Sequence, residues 1–457
     1  YIIMDTYGTI FEHALKKIRP DTKEVVENQM MFDDIKKFIK EKYSLDARLM
    51  GSVAKNTFIA GDKDLDIFVF FPVKTKKEDL EEKGLNVGKN VFKRFGGNYV
   101  ISYAEHPYTK GHIGSFEIEI VPAYKITSTK KLMSAVDRTP FHTKYVLDTL
   151  KKPDEVRLLK KFLKGIGAYG SDLKTNGFSG YLCELLIIKC GTFLNLLKSA
   201  QDWGYQEIMD MENGYRKSEH KAMKKKFSDQ PLIFIDPTDR NRNVAAVLSN
   251  EKLAQFIYFA GRFLEDPSIN YFFPLERPTD IKQILRSAKE RGTYHLAIRL
   301  SRPDLIEDIL YPQLRRFRRR ISDCLESEGF VILSSWEFAD SDCGIGMELL
   351  SPTVPRFRKM TGPRIFDPKV NRDNFVKKYG NIWFEEDRIV SEVRRKYFDV
   401  ISMLTYFFDG SAKDLADRGI PKNIADSMKK DFSLVEGKDL LDIKGDEFWK
   451  GLDRDGL

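Results

Sequence analysis

The chain has 457 residues, and at roughly 150 residues per domain this length predicts about three folding units. Hydrophobic residues make up 42% of the chain and charged residues 32%, a balance that supplies packed cores and excludes a disordered protein. The 76 Lys and Arg against 68 Asp and Glu give a net charge of +8, which favours a polyanionic partner only weakly, and no apolar stretch approaches the roughly 20 residues of a membrane-spanning helix.

The first part of the chain has the pattern of a compact α/β unit. Apolar residues recur at helical spacing over residues 11–43, and Pro20-Asp21 marks the start of a second helix there. Lengths and patterns then predict a strand at residues 65–71, a helix at 76–95, and strands at 99–103 and 116–121. We place the end of this unit near residue 148.

The pattern changes after Pro140. Helical spacing predicts helices at residues 153–166, 178–197 and 253–263, so the region up to about residue 268 is expected to be mostly helical. Beyond it, alternating strands at 294–300 and 330–335 flank a helix at 313–327, and mixed helices and strands continue to the last residue.

Asp64 and Asp66 are the first candidates for chemistry. Side chains two apart on a strand project from the same face, so both carboxylates point one way. Adjacent ionised carboxylates repel each other unless a cation binds them. Nucleotidyl transfer by two divalent metals needs such closely grouped carboxylates on a rigid support.

A third carboxylate on another strand would complete a metal site. Glu119 is our choice, because acidic and apolar residues alternate in the strand at 116–121. Glu117 shares the same face, and the periodicity alone leaves the choice between them open.

A glycine loop precedes the carboxylates. The backbone amides after Gly51 and the hydroxyl of Ser52 could hold a triphosphate, with Lys55 adding a cation. Gly-Ser, eleven residues, then Asp-Leu-Asp-Ile in an apolar strand is more specific than either part alone. The combination indicates a metal-dependent nucleotidyltransferase, and the competing interpretation is a surface turn followed by an acidic strand end.

Six stretches, the glycine loop included, extend this motif over about residues 45–315: 51–57, 104–108, 135–142, 178–186, 236–246 and 310–314. The glycine loop and carboxylates resemble those of polymerase-β-like nucleotidyltransferases. The wider set, in this order, resembles the archaeal-type (class I) CCA-adding enzymes, which are tRNA nucleotidyltransferases.

The resemblance implies template-independent addition of C, C and A to the tRNA 3′ end from CTP and ATP, with Mg²⁺. It implies that the metal ligands are Asp64, Asp66 and Glu119. It also implies residues that hold the triphosphate and sugar, namely Ser52, Lys55, Thr139, His142, Lys160 and Tyr169. Arg242, which read alone would be part of a polar turn, matches a position that reads the base edge. Many members have Glu at position 64, Asp at 119 and Arg at 55, where this chain has Asp64, Glu119 and Lys55.

The fold implied is an α+β multidomain protein with four parts. They are a polymerase-β-like nucleotidyltransferase catalytic head at residues 1–148, a mostly helical neck for nucleotide and base recognition at 149–268, an α+β RNA-binding body at 269–370, and a tRNA-binding tail at 371–457.

The densest basic run is another candidate for contact with tRNA. It consists of Arg315, Arg316, Arg318, Arg319 and Arg320. Clustered arginines suit repeated phosphate contacts, and the alternative is a solvated helix face.

Two other functions remain open from the sequence. One is a different polymerase-β-like transferase, such as a poly(A) polymerase or an oligoadenylate synthetase. The other is a catalytically inactive RNA-binding protein that retains the fold.

Cysteine usage and the N-terminus bear on location. Four scattered cysteines without a Cys-x-x-Cys pair fit a reducing compartment, and Cys183 and Cys190 are expected to fill the core from one helix face. The first residues lack a signal-peptide pattern, so we expect a cytoplasmic protein without a membrane partner. The sequence leaves open whether the chain forms a homodimer.

Overall fold

The computed structural model describes residues 2–103, 105–275 and 279–453. Two compact units divide the chain, an N-terminal unit, Tyr1–Glu276, and a C-terminal unit, Arg277–Leu457. Of the sequence motif at residues 104–108, Ala104 lies outside the described residues. The α+β multidomain class expected from the sequence is confirmed, and the finer division into four parts stays a prediction.

The first half of the N-terminal unit is built on a five-stranded sheet of order β1-β2-β5-β4-β3. Strands β2 and β5 are parallel, and the other neighbouring strands are antiparallel. Its helices and strands are α1 (Ile2–Ile18), α2 (Thr22–Tyr43), β1 (Asp46–Leu49), α3 (Gly51–Ala54), β2 (Asp64–Phe71), α4 (Lys77–Phe95), β3 (Asn98–Tyr103), β4 (Pro107–Ile113) and β5 (Phe116–Tyr124).

Strand β2 lies between β1 and β5, and most of its side chains are buried, on both faces of the sheet. Leu65, Ile67 and Val69 join one apolar core with residues of α2 and α4, and Phe68 and Phe70 join a second. A parallel strand buried on both faces is expected to be apolar almost throughout. The two aspartates at its start are therefore exceptions that the rigid strand holds in place.

The helices and strands predicted for this half are confirmed. Helix α1 begins at Ile2, well before the predicted start at residue 11, and the other bounds shift by three residues or fewer. Asp21 begins α2 as its cap, accepting a hydrogen bond of 2.7 Å from the amide of Glu24. Strands β1 and β4 were not predicted. The first has only four residues, and the sequence of the second, Pro107–Ile113, lacks apolar alternation.

The second half of the N-terminal unit is helical around a small three-stranded sheet of order β6-β7-β8. Its helices and strands are α5 (Thr139–Thr149), α6 (Pro153–Gly165), α7 (Gly180–Cys190), α8 (Phe193–Ala200), β6 (Glu207–Met209), α9 (His220–Lys226), β7 (Leu232–Asp236), β8 (Asp239–Asn243) and α10 (Asn250–Glu265). Aromatic rings fill its core. The ring of Phe162 lies 5.5 Å from that of Phe193 and 5.8 Å from that of Phe263.

The single helix predicted at residues 178–197 is wrong in one respect, because the structure breaks it into α7 and α8. Gly191 ends α7 with a φ of 78°, a value that favours glycine. Thr192 then caps α8 by accepting a hydrogen bond from the amide of Asn195. The two helices meet at an angle of 91°.

The C-terminal unit contains two antiparallel sheets, of order β10-β11-β9-β15 and β12-β14-β13. The strand predicted at residues 294–300 is confirmed, and the helix predicted at 313–327 begins earlier, at Glu307, with Pro312 inside it. The helices and strands are α11 (Ile281–Glu290), β9 (Tyr294–Leu300), α12 (Glu307–Ser327), β10 (Ile332–Ala339), β11 (Cys343–Leu349), β12 (Phe357–Arg364), α13 (Lys369–Tyr379), β13 (Ile382–Glu385), β14 (Arg388–Arg394), α14 (Val400–Phe407), α15 (Ala412–Asp417), α16 (Lys422–Lys430), β15 (Phe432–Glu436) and α17 (Asp446–Leu452).

The sequence also predicted that no helix spans a membrane and that Cys183 and Cys190 fill the core. Among the described residues, no one helix has the length and apolar character to cross a membrane, and the bent pair of α7 and α8 meets that test only when both are taken together. Cys183 is buried in the core of the N-terminal unit, and Cys190 is partly buried against it, as expected from their shared helix face.

Candidate active site

The carboxylates predicted on two strands lie side by side. Strand β2 pairs in parallel with β5, so that Asp64 is in register with Glu117 and Asp66 with Glu119. Partial burial raises the pKa of Asp66 to about 7, and the neighbouring charge of Glu119 adds to the rise. The pKa of Asp64 is also raised, first by desolvation and then by Asp62 and Glu117. The pair of strands therefore concentrates negative charge that a cation would relieve.

Lys110 on β4 supplies one positive charge to this group. Its Nζ lies 2.5 Å from Oε1 of Glu117 and 3.0 Å from Oε1 of Glu119. Burial alone would lower the pKa of Lys110, but the hydrogen bonds to the two glutamates raise it above its usual value. Sequence reasoning missed Lys110, because nothing in the sequence of β4 pairs it with β5.

The oxygen-rich donor set fits a hard divalent cation. Within the described part of the chain, no group of three or more His, Cys, Asp or Glu side chains is arranged as a site that could hold a metal ion by itself. Mg²⁺ does not require one, because it usually keeps several waters and binds one or two carboxylates together with substrate phosphates. Asp64, Asp66 and Glu119 stay the predicted ligands of such an ion.

The glycine loop packs directly against Asp66. A Cβ on Gly51 would lie 1.7 Å from Oδ2 of Asp66, and the φ of Gly51 is +66°, so position 51 favours glycine for two reasons. The amide of Met50 donates to the carbonyl of Asp66 at 2.8 Å. Ser52 follows in α3, and its carbonyl accepts from the amide of Thr57 at 2.9 Å. The predicted proximity of loop and carboxylates is thus present.

A buried glutamate lies beneath this loop. Glu184 of α7 accepts hydrogen bonds of 2.6 Å from Nζ of Lys55 and 2.6 Å from Oγ1 of Thr57. Its side chain is 1% exposed and that of Lys55 is 9% exposed. Sequence reasoning did not single out Glu184, although a glutamate in the apolar run of α7 was a signal that it needed a partner.

Lys160 and Tyr169 lie close to the same network. Nζ of Lys160 donates to the carbonyl of Thr57 at 2.9 Å, and burial lowers the pKa of Lys160. Burial raises the pKa of Tyr169. Both side chains are near Gly180, whose added Cβ would lie 3.3 Å from the Tyr169 hydroxyl and 3.8 Å from the Lys160 Nζ. The structure therefore brings Lys55, Lys160 and Tyr169 to one place.

Thr139 and His142 belong to the first turn of α5, three residues apart on one face. The Nε2 of His142 lies 2.9 Å from Oδ2 of Asp236. The His142 ring stacks on Tyr181 at a centroid distance of 4.1 Å. Burial lowers the pKa of His142.

Arg242 meets His142 at the same carboxylate. Its Nη1 donates to Oδ2 of Asp236 at 2.9 Å. Asp236 ends β7, the apolar strand Leu232–Asp236, and sequence reasoning missed its role. An acidic residue at the end of a buried strand was the available signal.

The five arginines of α12 have different environments. Arg315 and Arg318 each place Nε 2.9 Å from a carboxylate oxygen of Glu337, and Nε of Arg320 donates to the carbonyl of Arg418 at 2.6 Å. Arg316 and Arg319 are exposed. These residues lie in the C-terminal unit, so three of the five have contacts within that unit and two face solvent.

Three family models match the chain. The nucleotidyltransferase domain matches residues 33–142, the second domain of tRNA nucleotidyltransferase matches 154–273, and the C-terminal domain of CCA-adding enzyme matches 291–437. The first match contains the strand carboxylates, the glycine loop and His142. The second contains Lys160, Tyr169 and Arg242.

Whole-chain comparisons agree with the family models. The CCA-adding enzyme of Methanocaldococcus jannaschii is 38% identical over 435 residues, covering 93% of this chain and 95% of that protein. The CCA-adding enzyme of Methanothermobacter thermautotrophicus is 35% identical over 465 residues, covering 98% and 100%. A solved cytoplasmic RNA terminal U-transferase aligns with 60% of this chain and 99% of its own at 14% identity and a TM-score of 0.45, a likeness too remote to bear on function. On its relatives and domains, this chain belongs to the family of CCA-adding enzymes, the tRNA nucleotidyltransferases.

Proposed function

We propose that this enzyme adds C, C and A in turn to the 3′ end of tRNA, using CTP and ATP without a template and releasing pyrophosphate. One observation carries the proposal. Asp64 and Asp66 lie in register with Glu117 and Glu119, and the backbone at Gly51 packs against the carboxylate of Asp66. This arrangement puts the proposed metal ligands next to the proposed phosphate-binding loop, and nucleotidyl transfer requires the two to be close together.

Asp64, Asp66 and Glu119 are the proposed ligands of Mg²⁺. Nucleotidyltransferases generally use divalent metal ions, which activate the attacking hydroxyl and stabilise the charge on the phosphate and leaving group. The register favours Glu119 over Glu117, because Glu119 is opposite the more buried Asp66 and raises its pKa. Lys110, which contacts both glutamates, would orient Glu119 from its other side.

The nucleotide is proposed to bind over the loop after Gly51. Ser52, Lys55, Thr139, His142, Lys160 and Tyr169 would hold its triphosphate and sugar. The network of Glu184, Lys55, Thr57 and Lys160 supports this assignment, because it fixes the loop and leaves positive charge beside it. Arg242 would read the base edge, since its guanidinium can donate to O2 and N3 of cytosine or to N1 of adenine.

The tRNA partner is proposed to contact the C-terminal unit through clustered cations. Arg316 and Arg319 are exposed and suited to phosphates, whereas Arg315, Arg318 and Arg320 contribute within the unit. The body and tail assignments rest on the same proposal, and the cytoplasm is the proposed location. Homodimer formation stays an untested prediction.

The direct test incubates the chain with Mg²⁺, all four nucleoside triphosphates and tRNA that lacks its terminal CCA. We expect the tRNA to be extended by three residues with the sequence CCA and then no further, with one pyrophosphate released per added residue. Growth that continues as a homopolymer would identify another polymerase-β-like transferase. RNA binding without pyrophosphate release would identify an inactive RNA-binding protein.

A further inference from the structure

The carboxylate of Asp236, at the end of β7, is surrounded by hydrogen-bond donors from three other residues of the site and from the following turn. Its side chain is fully buried, at 0% exposed. Oδ1 accepts from the amide of Thr238 at 2.9 Å, from Oγ1 of Thr238 at 2.8 Å, and from the hydroxyl of Tyr181 at 3.3 Å. Oδ2 lies 2.9 Å from Nε2 of His142 and 2.9 Å from Nη1 of Arg242.

The two oxygens therefore have separate tasks. Oδ1 closes the turn between β7 and β8 through Thr238, and Oδ2 joins His142 of α5 to Arg242 of β8. Although burial alone would raise the pKa of Asp236, its hydrogen bonds with His142 and Thr238 hold that pKa well below its usual range. An ionised carboxylate only accepts, so His142 must carry its proton on Nε2.

Both partners of Oδ2 are held in one orientation. The ring of His142 stacks on Tyr181 at 4.1 Å with an interplanar angle of 18°. The guanidinium of Arg242 is planar, so fixing Nη1 restricts the whole group. The Arg242 side chain is still 36% exposed, which leaves part of it accessible to a ligand.

We propose that Asp236 is the positioning residue for base selection, which it performs by fixing Arg242 and His142 together on one carboxylate oxygen. The inference rests on the proposed function, in which Arg242 reads the base and His142 binds the sugar or phosphate. On the Watson–Crick edge of the base, the N–H donors of Arg242 match the acceptors O2 and N3 of cytosine and the acceptor N1 of adenine. Uracil N3 and guanine N1 carry hydrogen and oppose those donors, provided that Arg242 cannot turn away.

Asp236→Asn separates the two tasks of the carboxylate. An asparagine can keep its oxygen toward Thr238 and Tyr181, and its NH₂ group then faces Arg242 as donor against donor. The turn is retained while Arg242 is released. Thr238→Val is the matched control, because it removes a hydrogen bond from Oδ1 and leaves the contacts of Oδ2 in place.

The experiment measures kcat and KM for CTP and UTP on tRNA lacking CCA, and for ATP and GTP on tRNA ending in CC. Melting temperatures verify that each variant is folded. Asp236→Asn is expected to raise the KM of the correct nucleotide and to lower the kcat/KM ratios of CTP to UTP and of ATP to GTP tenfold or more. Thr238→Val is expected to keep both ratios within about twofold of wild type, because a structural defect alone affects correct and incorrect nucleotides alike.

The inference would be overturned if Asp236→Asn left the two kcat/KM ratios unchanged. It would also be overturned if Thr238→Val lowered them as much as Asp236→Asn does. If Asp236→Asn does not fold, Asp236→Glu takes its place, since it keeps the charge and moves the carboxylate by one methylene, and the same ratios decide. A wild-type enzyme without any preference for CTP over UTP would contradict the proposed function. If wild type prefers CTP over UTP and Asp236→Asn keeps that preference, the proposed function stands and only the role of Asp236 is contradicted.

Discussion

The Nζ of Lys55 lies 2.6 Å from Oε2 of Glu184, although 129 residues separate the two in the sequence. The same carboxylate accepts a hydrogen bond from the hydroxyl of Thr57, and Lys160 donates to the carbonyl of Thr57. Helices α6 and α7 thereby determine where the loop after Gly51 lies. The position of the loop depends on a buried charge network that belongs to the second half of the N-terminal unit.

Glu184→Leu tests the energetic weight of this network. Removing the carboxylate leaves Lys55 and Lys160 buried without their anionic partner, which is expected to lower the free energy of unfolding by about 3 kcal/mol or more. Urea denaturation measures the change. The control is Asp148→Asn, which removes an exposed pair with Lys144 and is expected to cost less than about 1 kcal/mol. Equal losses in the two variants would show that the network does not stabilise the fold.

The raised pKa of Asp66 predicts a pH-dependent stability. The folded-state pKa of about 7 exceeds the unfolded value near 3.9, so the folded state holds the extra proton between them. The associated stability is fully present below about pH 4 and is lost as pH rises through about 7. Asp66→Asn has no such loss. The free energy of unfolding of Asp66→Asn minus that of wild type should therefore rise by about 2 kcal/mol between pH 4 and pH 8. This value is smaller than the full pKa shift would give, because Asp66 is partly exposed to solvent.

The measurement is urea denaturation of wild type and Asp66→Asn across that pH range, in buffer with a chelator so that no divalent ion contributes. A difference between the two proteins that does not change with pH would show that Asp66 titrates normally.

Glu119 and Glu117 can be separated by a matched pair of variants. Each loses one ion pair with Lys110 when changed to Gln, so the change in that contact is similar. Glu119→Gln is expected to slow the addition of C by at least about 100-fold, because it removes a proposed metal ligand, and Glu117→Gln by less than about tenfold. Single-turnover addition from CTP measures both. The reverse order would assign the third carboxylate to Glu117.

The exposed arginines of α12 are predicted to act on tRNA binding alone. Arg316→Gln with Arg319→Gln should weaken tRNA binding and reduce the salt dependence of the affinity by about one unit of slope per lost phosphate contact. Their folding stability should stay near wild type. Arg318→Gln, which breaks contacts with Glu337 and Ser335, is instead expected to destabilise the protein by about 1 kcal/mol. Affinity that is unchanged in the double variant would place the tRNA elsewhere.

Local patterns predicted the elements whose signal lies in a few adjacent residues. The run from Leu65 to Phe71 and the helix after Pro153 were visible because burial imposes a period of two or 3.6 residues on the sequence. The break at Gly191 and the polar strand β4 were missed. In the first case, the positive φ of a single glycine ends the helix although the surrounding sequence is apolar. In the second case, β4 is a strand because it pairs with β3 and β5, and its own sequence does not show this pairing.

The residues of the candidate site also fall into those that a local pattern predicts and those that it does not. Asp64, Asp66 and the loop at Gly51-Ser52 form a local motif, and the sequence was sufficient to find them. Glu184, Asp236 and Lys110 act through partners on other elements, such as His142, which is 94 residues from Asp236. No local pattern carries such a pairing, so the residues that position the predicted site required the structure.

Asp66 is the proposed metal ligand on which nucleotidyl transfer depends most, and an alanine variant tests this role. The measurement compares the single-turnover rate of CTP addition to tRNA lacking CCA, with Mg²⁺, between wild type and Asp66→Ala, alongside the affinity of each protein for the same tRNA. We predict that the variant loses at least about 1,000-fold in rate and binds tRNA as wild type does, because Asp66 acts on the reacting phosphate rather than on the RNA. Addition by Asp66→Ala at a rate near that of wild type would contradict the role of Asp66 as a metal ligand.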